Sequence, residues 1–337
     1  MNTINNKYAT VLDSQGLFYD ISVCIIAYNV EKYINAAIES VMMQQTDLRY
    51  EIVIGENAST DATGTILKKI WNNNKDKVCV ILNNYNLGLS TNMFNTLCKA
   101  KGKYITILYG DDYWIDANKL QEQFDFLETH SEYVAATMPL EFRYDGESDI
   151  IKTVPGHFLW NKKIDLKMYL KGYDFPMGGI MFRGDVFYSN TDHFEIMVKA
   201  SKSIDDASFC ILLAMQGDIY VIGKPTGVYR CFKENSGATN FNSVNSIIER
   251  SKKNIILCNN LDELLNGMVD LSIRYGFILS SAFWAYLKKK ITYKEYQNLI
   301  PLIAIKYRKH KKIILIKGIA KKTECNIRSR LYCGRKL

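Results

Sequence analysis

The segment Ile105-Thr-Ile-Leu-Tyr-Gly-Asp-Asp-Tyr-Trp114 carries the strongest structural pattern in the chain. Its apolar, β-branched first half is typical of a strand that is buried on both faces. A glycine and two adjacent carboxylates, Asp111 and Asp112, follow directly. Ligands of open α/β sheets bind outside the carboxyl ends of the strands. We therefore expect a functional site at the end of this strand.

The two neighbouring carboxylates have two interpretations. Because they repel each other at a strand end, a divalent cation between them would stabilise the arrangement. Oxygen ligands suit Mg²⁺ or Mn²⁺, and Mg²⁺ is usually held by one or two carboxylates together with substrate phosphates. A solvated turn explains the same residues, because Gly-Asp-Asp is also favourable turn chemistry. The segment alone does not decide between a metal site and a turn.

Strand and helix patterns alternate through the first half of the chain. Apolar runs predict strands over residues 21–27, 50–55, 78–82 and 103–108, and apolar residues at helical spacing follow each of them. Strands that alternate with helices of about 10–15 residues indicate βαβ units and a parallel sheet. Neither G-x-G-x-x-G after the first strand nor G-x-x-x-x-G-K-[ST] occurs. This argues against an NAD-dependent dehydrogenase and against a P-loop site.

Composition narrows the class of protein further. A chain of 337 residues is long enough for about two domains. The net charge of +8 is too small for a strong nucleic-acid footprint, so we expect no nucleic-acid partner. The 8 cysteines form no Cys-x-x-Cys pair, and free thiols suit a reducing cytosol. The sequence contains no stretch of about 18 apolar residues, so we expect no transmembrane helix.

Several motifs in order resemble the family 2 glycosyltransferases of the GT-A fold. They are Ile-Ser-Val-Cys-Ile-Ile-Ala-Tyr-Asn at 21–29, Glu-Ile-Val-Ile-Gly-Glu-Asn-Ala-Ser-Thr-Asp at 51–61, Asn-Leu-Gly at 86–88 and Gly-Asp-Asp-Tyr-Trp at 110–114. The resemblance implies an α/β fold with a Rossmann-like, mostly parallel central sheet flanked by helices, to which this chain adds a C-terminal helical region. It also implies a nucleotide-sugar donor, a divalent cation (Mn²⁺ or Mg²⁺) and inversion at the anomeric carbon.

The resemblance assigns roles to residues at the strand ends. It implies a metal site at Asp111 and Asp112. The implied donor-binding residues are Ala27, Tyr28, Asn29, Glu56, Asn57, Asn86, Gly88 and Asp111. Three positions depart from the family pattern. Asn57 replaces an aspartate that accepts from the uracil N–H, Tyr109 replaces an acidic residue, and Phe232 replaces a histidine.

The later motifs are weaker. Gly178, Gly179 and Arg183 resemble the strand that faces the acceptor, although a glycine turn before a buried strand explains the glycines equally well. Asp206 stands where the family places its catalytic base, with Asp205 one residue out of register, and helix capping is the alternative role. Arg230 and Lys233 are the candidate contacts of the diphosphate.

Beyond residue 240 the pattern becomes helical and basic. We expect an N-terminal extension (1–20), a catalytic domain (21–240, with a nucleotide-sugar half to 138 and an acceptor half from 139) and a helical region (241–337). Lysines lie beside short apolar segments between residues 288 and 322. This pattern favours binding to the surface of an anionic membrane. The alternative is a solvated helix face that packs on the catalytic domain.

The function that this predicts is an inverting glycosyltransferase. It would use a nucleotide sugar, with UDP favoured, and a saccharide acceptor linked to a lipid diphosphate. The setting would be O-antigen or capsule assembly at the cytoplasmic face of the inner membrane. Two alternatives stay open: a non-catalytic relative that binds sugar or nucleotide, and a basic binding protein without a donor site.

Overall fold

A computed structural model describes residues 3–5, 9–13, 18–201, 206–232, 244–308 and 316, with the backbone alone for residues 3–5 and 244–246. Its strands are β1 (Thr3–Asn5), β2 (Ala9–Leu12), β3 (Tyr19–Ala27), β4 (Tyr50–Glu56), β5 (Val78–Asn83), β6 (Gly102–Tyr109), β7 (Tyr113–Trp114), β8 (Tyr133–Thr137), β9 (Leu140–Tyr144), β10 (Ile150–Val154), β11 (Lys162–Ile164), β12 (Ile180–Arg183), β13 (Asp218–Val221) and β14 (Gly227–Cys231).

Helices connect many of these strands, and the described elements after β14 are helical. They are α1 (Ile34–Met42), α2 (Thr63–Asn73), α3 (Leu89–Leu97), α4 (Lys119–Thr129), α5 (Leu166–Leu170), α6 (Gly184–Tyr188), α7 (Thr191–Phe194), α8 (Ile196–Ala200), α9 (Asp206–Ala214), α10 (Val244–Leu264), α11 (Ser272–Leu287), α12 (Tyr293–Gln297) and α13 (Ile305–Arg308). Short 3₁₀ turns occupy His157–Leu159, Met177–Gly179 and Ile300–Leu302.

Two compact units make up the chain. The first comprises Met1–Pro155, Leu159–Asp165 and Asp174–Arg230, and the second comprises Gly156–Phe158, Leu166–Tyr173 and Cys231–Leu337. The division of the chain into domains at residue 240 stays a prediction.

The first unit is built on a ten-stranded sheet in the order β1-β2-β5-β4-β3-β6-β12-β8-β13-β11. The four predicted strands form its parallel centre, β5-β4-β3-β6. Every residue of β4 is buried, as expected for a strand covered by helices on both faces. The predicted α/β fold class is confirmed. The segment predicted as an N-terminal extension contributes β2, which pairs antiparallel with β5.

A second sheet of four strands, β10-β9-β14-β7, lies in the same part of the chain. Its strand β7 directly follows Asp112, and Val228 and Gly227 of β14 pair with Tyr113 and Trp114. The chain after the carboxylate pair is therefore fixed by strand pairing instead of continuing as a free loop.

The second unit is mostly helical. α10 and α11 pack through buried side chains that include Leu261 and Tyr275. α13 is joined to α10 because Asp262 pairs with Lys306 at 2.6 Å and accepts from the Tyr307 hydroxyl at 2.9 Å. In the described part of the chain, we find no helix with both the length and the apolar character needed to cross a membrane. Most of the basic tail beyond residue 308 lies outside the described residues.

Candidate active site

The carboxyl ends of the parallel strands meet at one edge of the main sheet. The register aligns Ala27 with Glu56 across β3 and β4, and Ile26 with Tyr109 across β3 and β6. Hydrogen bonds extend this alignment past the strands. The Asn57 N–H donates to the Ala27 carbonyl at 3.0 Å, and the Gly110 N–H donates to the Ile26 carbonyl at 2.9 Å. The predicted loops after β3, β4 and β6 are thus neighbours.

The loop after β3 is fastened to the loop after β4. Asn29 accepts from the Thr60 N–H at 2.8 Å through its side chain, and its own N–H donates to the Ser59 hydroxyl at 2.9 Å. Its φ of 52° lies in the left-handed region, which asparagine tolerates better than most residues. The neighbouring Tyr28 is 44% exposed. The loop therefore offers an aromatic ring from a rigid backbone.

Glu56 is buried and accepts from the Ser59 N–H at 2.6 Å. This bond stabilises the turn around Ala58, whose φ of 57° is unusual for a residue other than glycine. Glu56 is therefore a buried side chain that stabilises the conformation of the loop after β4.

Asn57 has its amide orientation fixed by the loop after β5. Its Nδ2 donates to Asn86 Oδ1 at 3.1 Å, while its Oδ1 accepts from the Leu87 N–H at 2.9 Å. Asn86 Oδ1 also accepts from the Gly88 N–H at 2.8 Å. An aspartate at position 57 would place a second acceptor oxygen, with a negative charge, against the Asn86 oxygen and would lose the hydrogen bond between the two side chains. The asparagine therefore fits its surroundings, and it still offers one N–H and one lone pair to a ligand.

Asp112 is buried beside the paired strands β7 and β14, and the neighbouring Asp111 is partly buried. Asp112 is 2% exposed, and its Oδ1 accepts from the Arg230 backbone N–H at 2.9 Å. Burial raises the pKa of both carboxyls above their ordinary value, and the charge of Asp111 raises the pKa of Asp112 further. Two carboxylates that are destabilised in this way fit a divalent cation, whose charge would favour their ionised form.

Protein ligands alone do not complete a metal shell here. Among the residues that the structure describes, no group of three or more His, Cys, Asp or Glu side chains is placed to hold a metal ion. Tyr109 and Phe232, which stand where the family has an acidic residue and a histidine, supply no carboxylate or imidazole. The donor set matches a cation that takes its remaining ligands from substrate phosphates and water.

Arg230 lies beside this pair. Its guanidinium forms an ion pair with Asp145 at 2.9 Å and lowers the pKa of Asp111 and Asp112 through its charge, which partly offsets the effect of burial. Lys233, the second predicted diphosphate contact, lies outside the described residues.

Asp206 is the first residue of α9 and is exposed, whereas every residue from Ala207 to Ala214 is buried. Its Oδ1 accepts from the Ala207 N–H at 2.7 Å, which is a local bond at the start of the helix. A capping contribution and a catalytic role are both compatible with this position. The alternative base, Asp205, is outside the described residues.

The residues predicted to face the acceptor have structural partners. A Cβ on Gly179 would lie 2.0 Å from the Met138 carbonyl oxygen. The space beside Gly179 is therefore filled by the protein's own backbone and not by an acceptor sugar. Arg183 donates to the carbonyls of Tyr133 and His130 and pairs in register with Tyr104, near the amino end of β6. The structure thus places Arg183 away from the carboxyl edge, and Gly178 and Gly179 are buried in a turn.

Two residues near the pair were not predicted. Tyr33 and Asp145 both contact Arg230, although Tyr33 precedes α1 and Asp145 lies after β9. Neither position carries a motif, and the pairing of β9 with β14 brings Asp145 to this site.

Comparison with known proteins bears on the family and the fold of this chain. The model of the family described as Glycosyl transferase family 2 matches residues 22–190. The uncharacterized protein Rv1520 of Mycobacterium tuberculosis is 26% identical over 209 residues, which cover 62% of this chain and 58% of that protein. An Escherichia coli protein named UDP-Glc:alpha-D-GlcNAc-diphosphoundecaprenol beta-1,3-glucosyltransferase WfaP is 38% identical over 109 residues, 32% of this chain and 41% of that protein.

The matches span about half the length of these curated relatives. Among solved structures, Staphylococcus aureus TarS 1-349 in complex with UDP-GlcNAc superposes with a TM-score of 0.59 at 17% identity, covering 93% of this chain and 92% of that one. This likeness concerns the fold. The family match covers residues 22–190, which include both the parallel sheet and the carboxylate pair, and it shows that the chain belongs to glycosyl transferase family 2.

Proposed function

We propose that this protein is an inverting glycosyltransferase that moves a sugar from a nucleotide-sugar donor to a hydroxyl of a saccharide acceptor. The observation that carries the proposal is the Asp111–Asp112 pair directly after β6, in which Asp112 is buried, on the same edge as the Asn57–Asn86 network. Ala27, Tyr28, Asn29 and Gly88 would complete the nucleoside site.

A UDP-sugar is the donor that we favour. The solved TarS structure is a complex with UDP-GlcNAc, and the Escherichia coli relative is named for UDP-Glc. Asn57 can accept from the uracil N3–H through its remaining Oδ1 lone pair, without the charge assistance that an aspartate would give.

The reaction needs a base and a stabilised leaving group. Asp206 would take the proton of the acceptor hydroxyl as its oxygen attacks the anomeric carbon from the face opposite the diphosphate, which breaks the bond between that carbon and the phosphate oxygen and inverts the centre. Asp111 and Asp112 would hold Mn²⁺ or Mg²⁺, which when bound offsets the charge of the diphosphate. Arg230 and Lys233 would add positive charge to the same group.

A donor panel tests this proposal. Purified protein with Mn²⁺ is incubated with nucleotide sugars, and release of the nucleoside diphosphate is measured. We expect turnover with at least one UDP-sugar, and Asp112→Asn should lower it by about 10²-fold or more. Asp149→Asn, an exposed change in the β9–β10 turn, is the matched control. Equal turnover by Asp112→Asn and wild type would contradict the assignment.

A non-catalytic relative that binds nucleotide sugar is the second candidate. Within the described ranges, no third His, Cys, Asp or Glu side chain joins the two adjacent carboxylates to form a metal-binding group, which favours weak metal binding. Calorimetry with UDP-sugars and Mn²⁺, run beside the turnover assay, separates the two functions. Binding without turnover, with a panel of saccharide acceptors also present, would support the second candidate.

The acceptor that we propose is a saccharide on a lipid diphosphate, used in assembly of a surface polysaccharide at the cytoplasmic face of the membrane. The name of the Escherichia coli relative specifies such an acceptor for that protein. Residues 21–240 would form the catalytic domain, and the region from 241 would contact lipid. Exposed Leu287 and Tyr293 beside Lys288, Lys289 and Lys290 support this contact. Flotation with anionic liposomes tests it, and failure of the full chain to bind would contradict it.

A further inference from the structure

The side chain of Arg230 is enclosed by three residues that are distant in sequence. Its Nη1 donates to Asp145 Oδ1 at 2.9 Å. Its guanidinium carbon lies 5.0 Å from the ring centroid of Tyr33 and 4.5 Å from that of Tyr113. The Tyr33 hydroxyl donates to the other oxygen of Asp145 at 3.0 Å. Asp145 therefore accepts hydrogen bonds from both Tyr33 and Arg230 and links these two side chains.

The supporting backbone is well defined. Asp145 lies in a turn in which the Glu147 N–H donates to the Tyr144 carbonyl at 2.9 Å and Gly146 adopts a φ of 77°. This turn joins β9 to β10, and β9 lies next to β14, which carries Arg230. The Arg230 N–H in turn bonds to Asp112. The turn, the arginine and the carboxylate pair are therefore connected through one small sheet.

The arrangement leaves hydrogen-bonding capacity on the cation. A guanidinium has five N–H donors in a rigid planar fork, which matches phosphate oxygens. Asp145 accepts from Nη1, whereas Nε is buried and has no hydrogen-bond partner. The cation–π contacts with Tyr33 and Tyr113 hold the guanidinium without using its N–H groups.

We propose that Asp145 and Tyr33 are positioning residues that hold the Arg230 guanidinium ready for the diphosphate of the donor. This inference rests on the proposed glycosyltransferase function and adds to it two residues that no family motif marks. An arginine that is oriented before binding loses less side-chain entropy when phosphate arrives. The interaction should therefore affect binding of the diphosphate and leave binding of the nucleoside alone unchanged.

Calorimetry on the full-length protein with Mn²⁺ tests the proposal, with UDP and uridine as paired probes and GDP and guanosine as a second pair. We expect Asp145→Asn and Tyr33→Phe each to weaken binding of the diphosphate by roughly five- to tenfold, the scale of the entropy lost when one long side chain is immobilised on binding. Affinity for the nucleoside should not change. Asp149→Asn, in the same turn, should behave as wild type.

A double-mutant comparison separates positioning from a general structural effect. In an Arg230→Gln background, Asp145→Asn should cause no further loss of diphosphate affinity, because the group that it positions is absent. Equal losses in both backgrounds would overturn the proposal. Tighter binding by Asp145→Asn alone would also overturn it, since that result would show that Asp145 competes with the diphosphate. If wild type binds no nucleoside diphosphate, the donor site itself is rejected.

Discussion

The indole N–H of Trp114 donates to the carbonyl of Gly178 at 3.1 Å and fixes the carboxylate pair relative to the turn before β12. Trp114 is two residues beyond Asp112. On the other side, Met177 Sδ lies 3.4 Å from Cys210 Sγ of α9, the helix that begins with Asp206. Buried contacts therefore connect the proposed metal site with the element that carries the proposed base.

Replacement of Trp114 by phenylalanine should destabilise the protein. The change removes the donor to a buried carbonyl, and an unsatisfied buried acceptor costs about 1–3 kcal/mol. Urea unfolding followed by circular dichroism measures the difference. Trp71→Phe is the control, because Trp71 is only partly buried and its indole bond to the Asp13 carbonyl is longer, at 3.3 Å. A smaller loss for Trp114→Phe than for Trp71→Phe would contradict this interpretation.

The two adjacent glycines before β12 should respond differently to alanine. A Cβ at Gly179 would lie 2.0 Å from a backbone oxygen that cannot move away cheaply, whereas a Cβ at Gly178 would lie 3.1 Å from the end of the flexible Leu140 side chain. We expect Gly179→Ala to lower the free energy of unfolding by about 3 kcal/mol or to prevent folding, and Gly178→Ala to change it by about 1 kcal/mol. Thermal unfolding compares them. Equal stability of the two variants would show that the turn relaxes freely.

Local patterns predicted the centre of the fold but not the contacts that complete the site. The apolar periodicity of β3 to β6 is visible in short windows, so their parallel pairing followed from the sequence. β7 contains two residues, and β12 enters the sheet antiparallel between β6 and β8. Such pairings join distant segments and leave no local signal. Asp111 and Asp112 were identified as site candidates because they directly follow a strand that the local pattern predicts. Asp145 was not identified, because it reaches the site through the pairing of distant strands.

Lys119 predicts a dependence of stability on pH. The side chain is fully buried, with Nζ 2.5 Å from Gln123 Oε1 and 4.4 Å from the centroid of the Trp114 ring. Burial lowers the pKa of Lys119 from 10.5 to about 7. Because the folded-state pKa is below that of the unfolded chain, the unfolded state binds more protons between these two values. This lysine therefore makes the protein more stable as pH rises above about 7, by at most about 1.4 kcal/mol per pH unit.

Lys119→Met isolates this contribution. Urea unfolding at pH 7 and pH 8.5 gives a free energy of unfolding for both proteins, and the wild-type value minus the variant value should increase with pH. Other groups titrate in both proteins, so their effects largely cancel in that difference. A difference that is constant with pH would mean that Lys119 is charged in the folded protein throughout this range.

Asp206 offers the most direct test of the chemistry. If its carboxylate takes the proton of the acceptor hydroxyl, Asp206→Asn should lower kcat for transfer by about 10²–10⁴-fold, the usual contribution of a general base. The affinity for the donor should stay near the wild-type value, because the base acts on the acceptor. Since Asp206 is exposed at the start of α9, loss of its local bond to the Ala207 N–H should lower stability by about 1 kcal/mol. Transfer kinetics, donor calorimetry and thermal unfolding distinguish these effects, with the exposed Asp192→Asn as the control. Near-normal kcat with reduced stability would assign Asp206 to helix capping alone.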